Sequence, residues 1–133
     1  MAPTKTTARG CPLSELPTAQ TSIAIADAQL RAAKLLLHDA VADLCAGATA
    51  GVPTTVEQRA RVRAAMTFAG QTSRTVVNSM YELGSSSSLY VTNRLERIFR
   101  DGNAAAQHGL LNALTWEPVG RVLLGQDPEQ FVF

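Results

Sequence analysis

Apolar residues in the first half of the chain recur at helical spacing. From Ile23 they follow steps of three and four residues: Ile23, Ala26, Leu30, Ala33, Leu37, Ala40 and Leu44. This spacing places side chains on one face of an α-helix. Large residues and alanines alternate along it, which lets a neighbouring helix pack closely. The pattern predicts a first helix over 18–46, ended by the glycines and proline of GATAGVP at 47–53.

A second long helix is predicted over 54–83. The spacing of Thr54 and Glu57 matches a capping box. Its apolar stripe again follows steps of three and four residues: Val62, Met66, Ala69, Ser73, Val76, Met80 and Leu83. Gly84 stops this helix, and four serines fill the turn that follows.

The last third of the chain predicts two further helices, over 93–112 and 115–124. Asn93 and Thr115 are the capping residues, and Gly125 lies just past the second helix. No stretch shows the sustained alternation of a β-strand. Because the connections are short, the sequence predicts an all-α, up-down antiparallel four-helix bundle with two long helices, one medium and one short.

Composition and charge narrow the class of protein. The chain has 133 residues, 46% of them hydrophobic and 17% charged, with a net charge of +1, which is typical of one soluble globular domain. A near-neutral balance offers no electrostatic attraction to nucleic acid or a membrane surface. Residues 1–17 lack the apolar core of a signal peptide. We expect an extended arm over 1–17, a helical domain over 18–133 and a cytoplasmic location.

The two cysteines, Cys11 and Cys45, have no histidines at ligand spacing. They therefore predict no zinc site. We expect two free thiols, as is usual for cysteines in the reducing cytoplasm.

The stretch RDGNAAAQH, residues 100–108, is the first candidate for chemistry. On a continuous helix, Arg97, Asp101, Ala104 and His108 share one stripe. Arg97 and Asp101 can pair across one turn. Asp101 and His108 are two turns apart, roughly 10 Å, too far for a catalytic pair. The spacing leaves two interpretations of His108 open, a surface histidine or a functional one approached closely by a ligand.

The second candidate is the loop ELGSSSSLY, residues 82–90. A glycine and serines that follow a helix offer backbone N–H groups and hydroxyls, which suit a phosphate. Serine-rich loops are also common as plain connections, so the loop alone does not decide. His38, on the first helix, has no comparable setting and is interpreted as a surface residue.

The order of the sequence motifs along the chain indicates a family more specifically than any single motif does. LGSSSSLY, RLERIFRD, AAAQH and WEPVGRVLLG follow one another, and together they resemble the C-terminal helical domain of the acyl-CoA dehydrogenase superfamily. The chain looks most like the branch of flavin-dependent monooxygenases that hydroxylate aromatic or related substrates with reduced flavin from a partner reductase. PLSELPTAQTSIAIADAQLRAAKLLL is similar to the start of that domain, so the resemblance covers the chain from about Pro12.

The resemblance implies roles for individual residues. It implies that His108 faces flavin and substrate as an acid/base residue, a task that suits an imidazole. The small residues before it would leave room for a flat ligand and a close helix. It also implies that Arg100 and Asp101 support helix packing, and that Trp116 and Arg121 are structural. It further implies that a loop of four residues lies near the phosphate of FAD or FMN: Gly84, Ser85, Ser86 and Ser87. In the family this flavin is often held mainly by another subunit.

The resemblance also implies partners. We expect a homo-oligomer that associates through an exposed alanine ridge on the first helix (Ala26, Ala33 and Ala40), and possible partners are a flavin-binding subunit and a flavin reductase. Family members carry an N-terminal helical domain and a central β-domain before this one. Against that pattern we expect an excised or truncated domain, a separately encoded subunit or a relic kept for another purpose. Two functions stay open: a flavin monooxygenase domain, or a non-catalytic helical assembly module without its own flavin.

Overall fold

The computed structural model describes residues 11–111 and 113–129, without the side chain of Ser87. This part of the chain contains no β-strand, which confirms the all-α prediction. The α-helices are α1 (Pro17–Thr49), α2 (Val56–Gly84), α3 (Arg94–Ala105) and α4 (Trp116–Leu123). Short 3₁₀ segments lie at Leu13–Glu15, Ser85–Leu89, Gly109–Leu111 and Ala113–Thr115.

The two long helices form an antiparallel pair joined by residues 50–55. The residues of α1 that are buried lie seven apart: Ala19, Ala26, Ala33 and Ala40. Side chains at this spacing form one seam along a helix, and alanines let two backbones approach closely. Because α1 packs on α2, this alanine ridge is covered within the chain. The expectation of an exposed alanine ridge was therefore wrong.

The large residues of α1 lie outward instead. Ile23 is 52% exposed and Leu30 is 44% exposed. Leu37 and Leu44, the next two large residues of the stripe, are half-buried. We call these four residues the large-residue ridge. A helical period predicts a stripe, but the close approach of α2 selects the small residues of that stripe for the interface.

Helix α2 is the centre of the fold, because α1, α3 and α4 all pack on it. The ring of Tyr81 stacks on Phe99 of α3 with centroids 4.0 Å apart. Further along, Asn103 Nδ2 donates a hydrogen bond of 2.9 Å to Asn78 Oδ1. Since later residues of α3 meet earlier residues of α2, these two helices are antiparallel.

Helix α4 continues in the same direction as α3 along α2. Pro118, Val119 and Val122 are its buried residues, and Val119 and Val122 line a cavity with Ala60 and Ala64 in the first half of α2. The third and fourth helices thus lie one after the other along α2. Gly125, predicted just past the last helix, has a φ of 73° and ends α4.

The capping box of α2 lies one residue later than predicted. Thr55 Oγ1 accepts a hydrogen bond of 3.2 Å from Gln58 N. Gln58 Oε1 accepts one of 3.1 Å from Thr55 N. Thr54 and Glu57 fit the same pattern in sequence, but the reciprocal bonds form at the second pair. The predicted cap at Asn93 is confirmed, since its side chain accepts from Leu95 N at 2.9 Å.

The third helix ends at Ala105, not near residue 112 as predicted. After it, Gln107 N bonds Ala104 O and His108 N bonds Ala105 O, both at 3.1 Å, which is the tighter 3₁₀ pattern. This bend brings Leu111 onto α2, where a β-carbon added to Gly70 would lie 3.1 Å from Leu111 Cβ. Tertiary contact therefore overrides the helical pattern of the sequence.

The predicted extended arm over 1–17 is only partly within the described residues, since residues 1–10 lie outside them. Of the rest, Leu13–Glu15 form a 3₁₀ turn and Pro17 already belongs to α1. Within the described part of the chain, no helix combines the length and apolar character needed to cross a membrane.

Candidate functional site

His108 lies in the turn that follows α3, not on the helix where the sequence placed it. Its side chain is exposed, and Leu110 N donates a hydrogen bond of 3.3 Å to His108 Nδ1. When Nδ1 accepts, a neutral imidazole carries its proton on Nε2. The turn therefore orients the ring and leaves Nε2–H as the group that can donate a hydrogen bond. The stripe predicted to join His108 to Asp101 does not exist.

The small residues before His108 divide into two groups. A β-carbon added to Gly102 would lie 3.2 Å from Val77 Cγ2, so this glycine allows α3 to approach α2 closely. Ala104 and Ala105 are exposed. They leave an open surface beside the turn that contains His108.

Four charged residues of α3 pair within their own helix. Arg97 Nε lies 3.4 Å from Asp101 Oδ2, which confirms the predicted pair. Arg100 Nη2 lies 4.0 Å from Glu96 Oε2. Arg100 and Asp101 were expected to support helix packing, but their side chains are 64% and 62% exposed. Their contacts are local to α3.

The serine loop folds back on the end of α2. A β-carbon at Gly84 would collide with Ser88 Oγ and lie 2.8 Å from Leu95 Cδ2. Gly84 is buried, as is Ser88. The missing side chain of Gly84 therefore serves packing inside the protein.

Two of the four residues expected near a flavin phosphate are accessible. Ser85 and Ser86 are exposed, and the side chain of Ser87 lies outside the described residues. The exposed hydroxyls fit as donors to a phosphate. The loop follows the negative end of the α2 dipole and its sequence, residues 85–93, carries no lysine or arginine. It can supply hydrogen bonds but no charge of its own.

A cavity of about 170 Å³ lies beside the turn that contains His108. Helix α2 and the segment after α3 line it: Gln71, Arg74, Ala106, Gln107, Leu111 and Ala113. Trp116 Nε1 donates a hydrogen bond of 3.3 Å to Gln71 Oε1 at this place. The sequence analysis missed this cavity. Gln71 and Arg74 lie three apart on one helix face, but only the bend after Ala105 brings Gln107 to them.

A larger cavity, of about 260 Å³, lies between the start of α2 and α4. It is lined by Glu57, Ala60, Arg61, Ala64, Val119, Val122 and Leu123. Hydrogen bonds from the backbone N–H of Glu57 and from the Thr55 side chain, with the nearby charge of Arg61, hold the pKa of Glu57 below its usual range.

The remaining candidate residues have structural or surface positions. Arg121, expected to be structural, pairs through Nη2 with Glu129 Oε1 at 2.6 Å. Cys11 and Cys45 are free thiols. His38 is exposed on α1. Among the described residues, no group of histidine, cysteine and carboxylate side chains could hold a metal ion.

Comparison with known proteins identifies the family of the chain. Residues 1–113 match the family described as acyl-CoA dehydrogenase, C-terminal domain. The chain belongs to this family. The match includes α1, α2, α3, the serine loop and His108.

Two curated relatives are named indole-3-acetate monooxygenase. The one from Pseudomonas putida is 26% identical over 129 residues, which cover 96% of this chain and 33% of the relative. The one from Acinetobacter baumannii is 29% identical over 119 residues, 90% of this chain and 31% of the relative. The chain thus spans about a third of the length of the curated relatives it matches.

Proposed function

We propose that this chain is the C-terminal helical domain of a reduced-flavin-dependent monooxygenase that acts on an aromatic carboxylate, and that His108 is its acid/base residue. The observation that carries the proposal is the exposed imidazole of His108, held through Nδ1 by Leu110 N. Similarity to two indole-3-acetate monooxygenases over almost the whole chain supports the reaction type and the substrate class.

The proposed role of His108 is proton transfer through Nε2. A proton donor must lie within about 3 Å of its acceptor. Because the imidazole of His108 is exposed, a ligand bound mainly outside this domain can come that close to it. The exposed Ala104 and Ala105 would let a flat ring system lie close to the turn. Once Nδ1 has taken up a proton and released the Leu110 bond, the imidazolium can donate its Nε2 proton to oxygen near the flavin. In the other neutral tautomer, with the hydrogen on Nδ1, Nε2 can accept a proton from the substrate.

The proposed cofactor is FAD or FMN in its reduced form. When bound, the flavin supplies the electron transfer to dioxygen that this chemistry needs. The hydroxyls of Ser85 and Ser86 would donate hydrogen bonds to its phosphate, with Ser87 and the backbone of Gly84 next to them. A few exposed hydrogen bonds of about 1 kcal/mol each cannot hold a flavin tightly. Most of the binding would come from another subunit or domain.

The proposed active assembly therefore includes partners. Oxygenation requires water to be excluded from the reduced flavin, and this bundle can cover only one face of a planar cofactor. We propose a flavin-binding partner, a reductase that supplies reduced flavin, and self-association through the large-residue ridge of α1. Exposed apolar surface of this kind is typical of an interface. The free thiols agree with a cytoplasmic location.

The second candidate is a non-catalytic helical assembly module that binds no flavin. The exposed large residues of α1 favour it, because they offer an interface without any need for a cofactor. The two functions predict different partners. Affinity capture of the chain from its host would recover a flavin-binding protein if the domain is catalytic, and a colourless assembly if it is not.

The test of the catalytic role uses the captured assembly supplied with reduced flavin, oxygen and indole-3-acetate. We expect substrate hydroxylation, and its loss by at least 100-fold in His108→Ala. His38→Ala is the matched control, since it removes the other exposed histidine of the described residues. If the His108→Ala assembly is active, His108 is not the acid/base residue. If the wild-type assembly has no flavin-dependent activity, the proposed monooxygenase function is wrong.

A further inference from the structure

The cavity beside the His108 turn combines one cation with several hydrogen-bond donors. Arg74 is the only charged residue among those that line it. Within residues 11–111 and 113–129, Arg74 takes part in none of the ion pairs. A guanidinium presents a planar fork of N–H donors that matches a carboxylate in a bidentate pair. An unpaired guanidinium at the wall of a cavity favours an anionic ligand.

The amide of Gln71 can add donors to the same cavity. Its Oε1 accepts the indole N–H of Trp116 at 3.3 Å. The two N–H groups of the amide are therefore the part of Gln71 that remains for a ligand. Gln107 adds a second amide to the lining. The polar residues of the lining thus offer amide N–H donors together with one positive charge.

The rest of the cavity lining is apolar, and the cavity is limited in size. Ala106, Leu111 and Ala113 line it, and Gly70 lets Leu111 lie directly on α2. A cavity of about 150 Å³ has room for a benzene ring, so about 170 Å³ accommodates part of an aryl or alkyl carboxylate. A single cation next to an apolar wall matches an organic monoanion better than a phosphate.

We infer that this cavity binds the carboxylate of a small organic acid, with Arg74 as the residue that pairs with the anion and Gln71 and Gln107 as additional donors. The inference rests on the proposed function in one respect: if the domain belongs to the proposed monooxygenase, the cavity is the subsite for the carboxylate of its aromatic substrate. Gln107 immediately precedes His108. A substrate anchored at Arg74 would lie beside the turn that carries the acid/base residue.

The test uses the full 133-residue chain and its single tryptophan. Because Trp116 is bonded to a residue of the cavity, its fluorescence reports occupancy. We expect phenylacetate to change the emission in a saturable manner. Phenylacetamide, a neutral compound of the same shape, and inorganic phosphate should bind at least tenfold more weakly.

Variants assign the effect to the arginine. Arg74→Gln keeps a good helix former on an exposed position of α2, so circular dichroism should be unchanged. We expect its dissociation constant for phenylacetate to rise by about tenfold or more, as for the loss of a charged hydrogen bond. Arg59→Gln, at another exposed position of α2, should bind phenylacetate like the unmodified chain.

Three results would overturn the inference: no saturable response to phenylacetate, equal binding of phenylacetamide, or undiminished binding by Arg74→Gln. Phosphate that binds as well as phenylacetate would show a general anion site and also overturn it. The measurement needs no flavin. Carboxylate binding without flavin-dependent activity would therefore refute the proposed function alone, and activity without carboxylate binding would refute this inference alone.

Discussion

Ser88 occupies the space where a side chain of Gly84 would lie. A β-carbon on Gly84 would collide with Ser88 Oγ, and the Ser88 hydroxyl, which is fully buried, has no hydrogen-bond partner in the described part of the chain. The contact joins the end of α2 to the last serine of the loop. Its two residues therefore contribute to stability as a coupled pair.

Gly84→Ala should lower the free energy of unfolding by about 1–3 kcal/mol, the usual cost of overpacking a buried site. Ser88→Gly in the same chain should restore most of this loss, because it removes the atom that collides. Urea denaturation of the two single variants and the double variant measures the coupling. Gly109→Ala is the matched control, since a β-carbon there meets nothing within 4 Å, and additive effects at Gly84 and Ser88 would contradict the packing argument.

Lysine on the large-residue ridge of α1 should weaken self-association. Ile23→Lys and Leu30→Lys place a charge on residues that are 52% and 44% exposed, so the folded chain tolerates them while a desolvated interface does not. Sedimentation velocity should show a shift towards the monomer. Val91→Lys, at a position 82% exposed in the loop before α3, should leave the profile unchanged. A wild-type chain that is monomeric at all concentrations would show that this ridge does not mediate association.

Acid should remove the contribution of Glu57 to stability. The pKa of Glu57 is lowered by hydrogen bonds from its own backbone N–H and the Thr55 side chain. A lowered folded-state pKa stabilises the protein above the unfolded-state pKa, and this contribution is lost as the pH falls through the folded-state pKa. Glu57→Gln should therefore lower the melting temperature at neutral pH.

The same variant should differ little from the wild type once the pH is below the folded-state pKa of Glu57. Glu82→Gln, near the other end of α2, is the matched control. The expected signature is a difference in melting temperature between Glu57→Gln and wild type that shrinks on acidification. A difference of the same size at neutral and acid pH would exclude a role for the Glu57 charge.

The purified chain alone should bind FAD or FMN weakly or not at all and should not turn over substrate. Absorbance after desalting measures retained flavin. His108→Ala should change the free energy of unfolding by no more than about 1 kcal/mol, because the side chain is exposed. Stoichiometric flavin retained by the chain, with oxygenation that depends on His108, would show that the domain is active unaided.

Local chemistry made much of the fold predictable. The three-and-four spacing of apolar residues identified the two long helices, since a stripe of this period is a property of the helix itself. The caps at Asn93 and Gly125 depend on bonds between near neighbours in the chain, and both were found. The Arg97–Asp101 pair is local in the same sense.

Only the tertiary structure decided which surface is buried and where the third helix ends. The helical period of α1 fits a buried face made of its alanines as well as one made of its large residues. The alanines are buried, because α2 packs closely against them. The bend after Ala105 forms because Leu111 packs against Gly70, a residue 41 positions earlier in the chain. That distant contact removes His108 from α3 and builds the cavity at Arg74. A local sequence pattern contains no information on this contact, because the packing energy comes from two segments that meet only when the chain is folded.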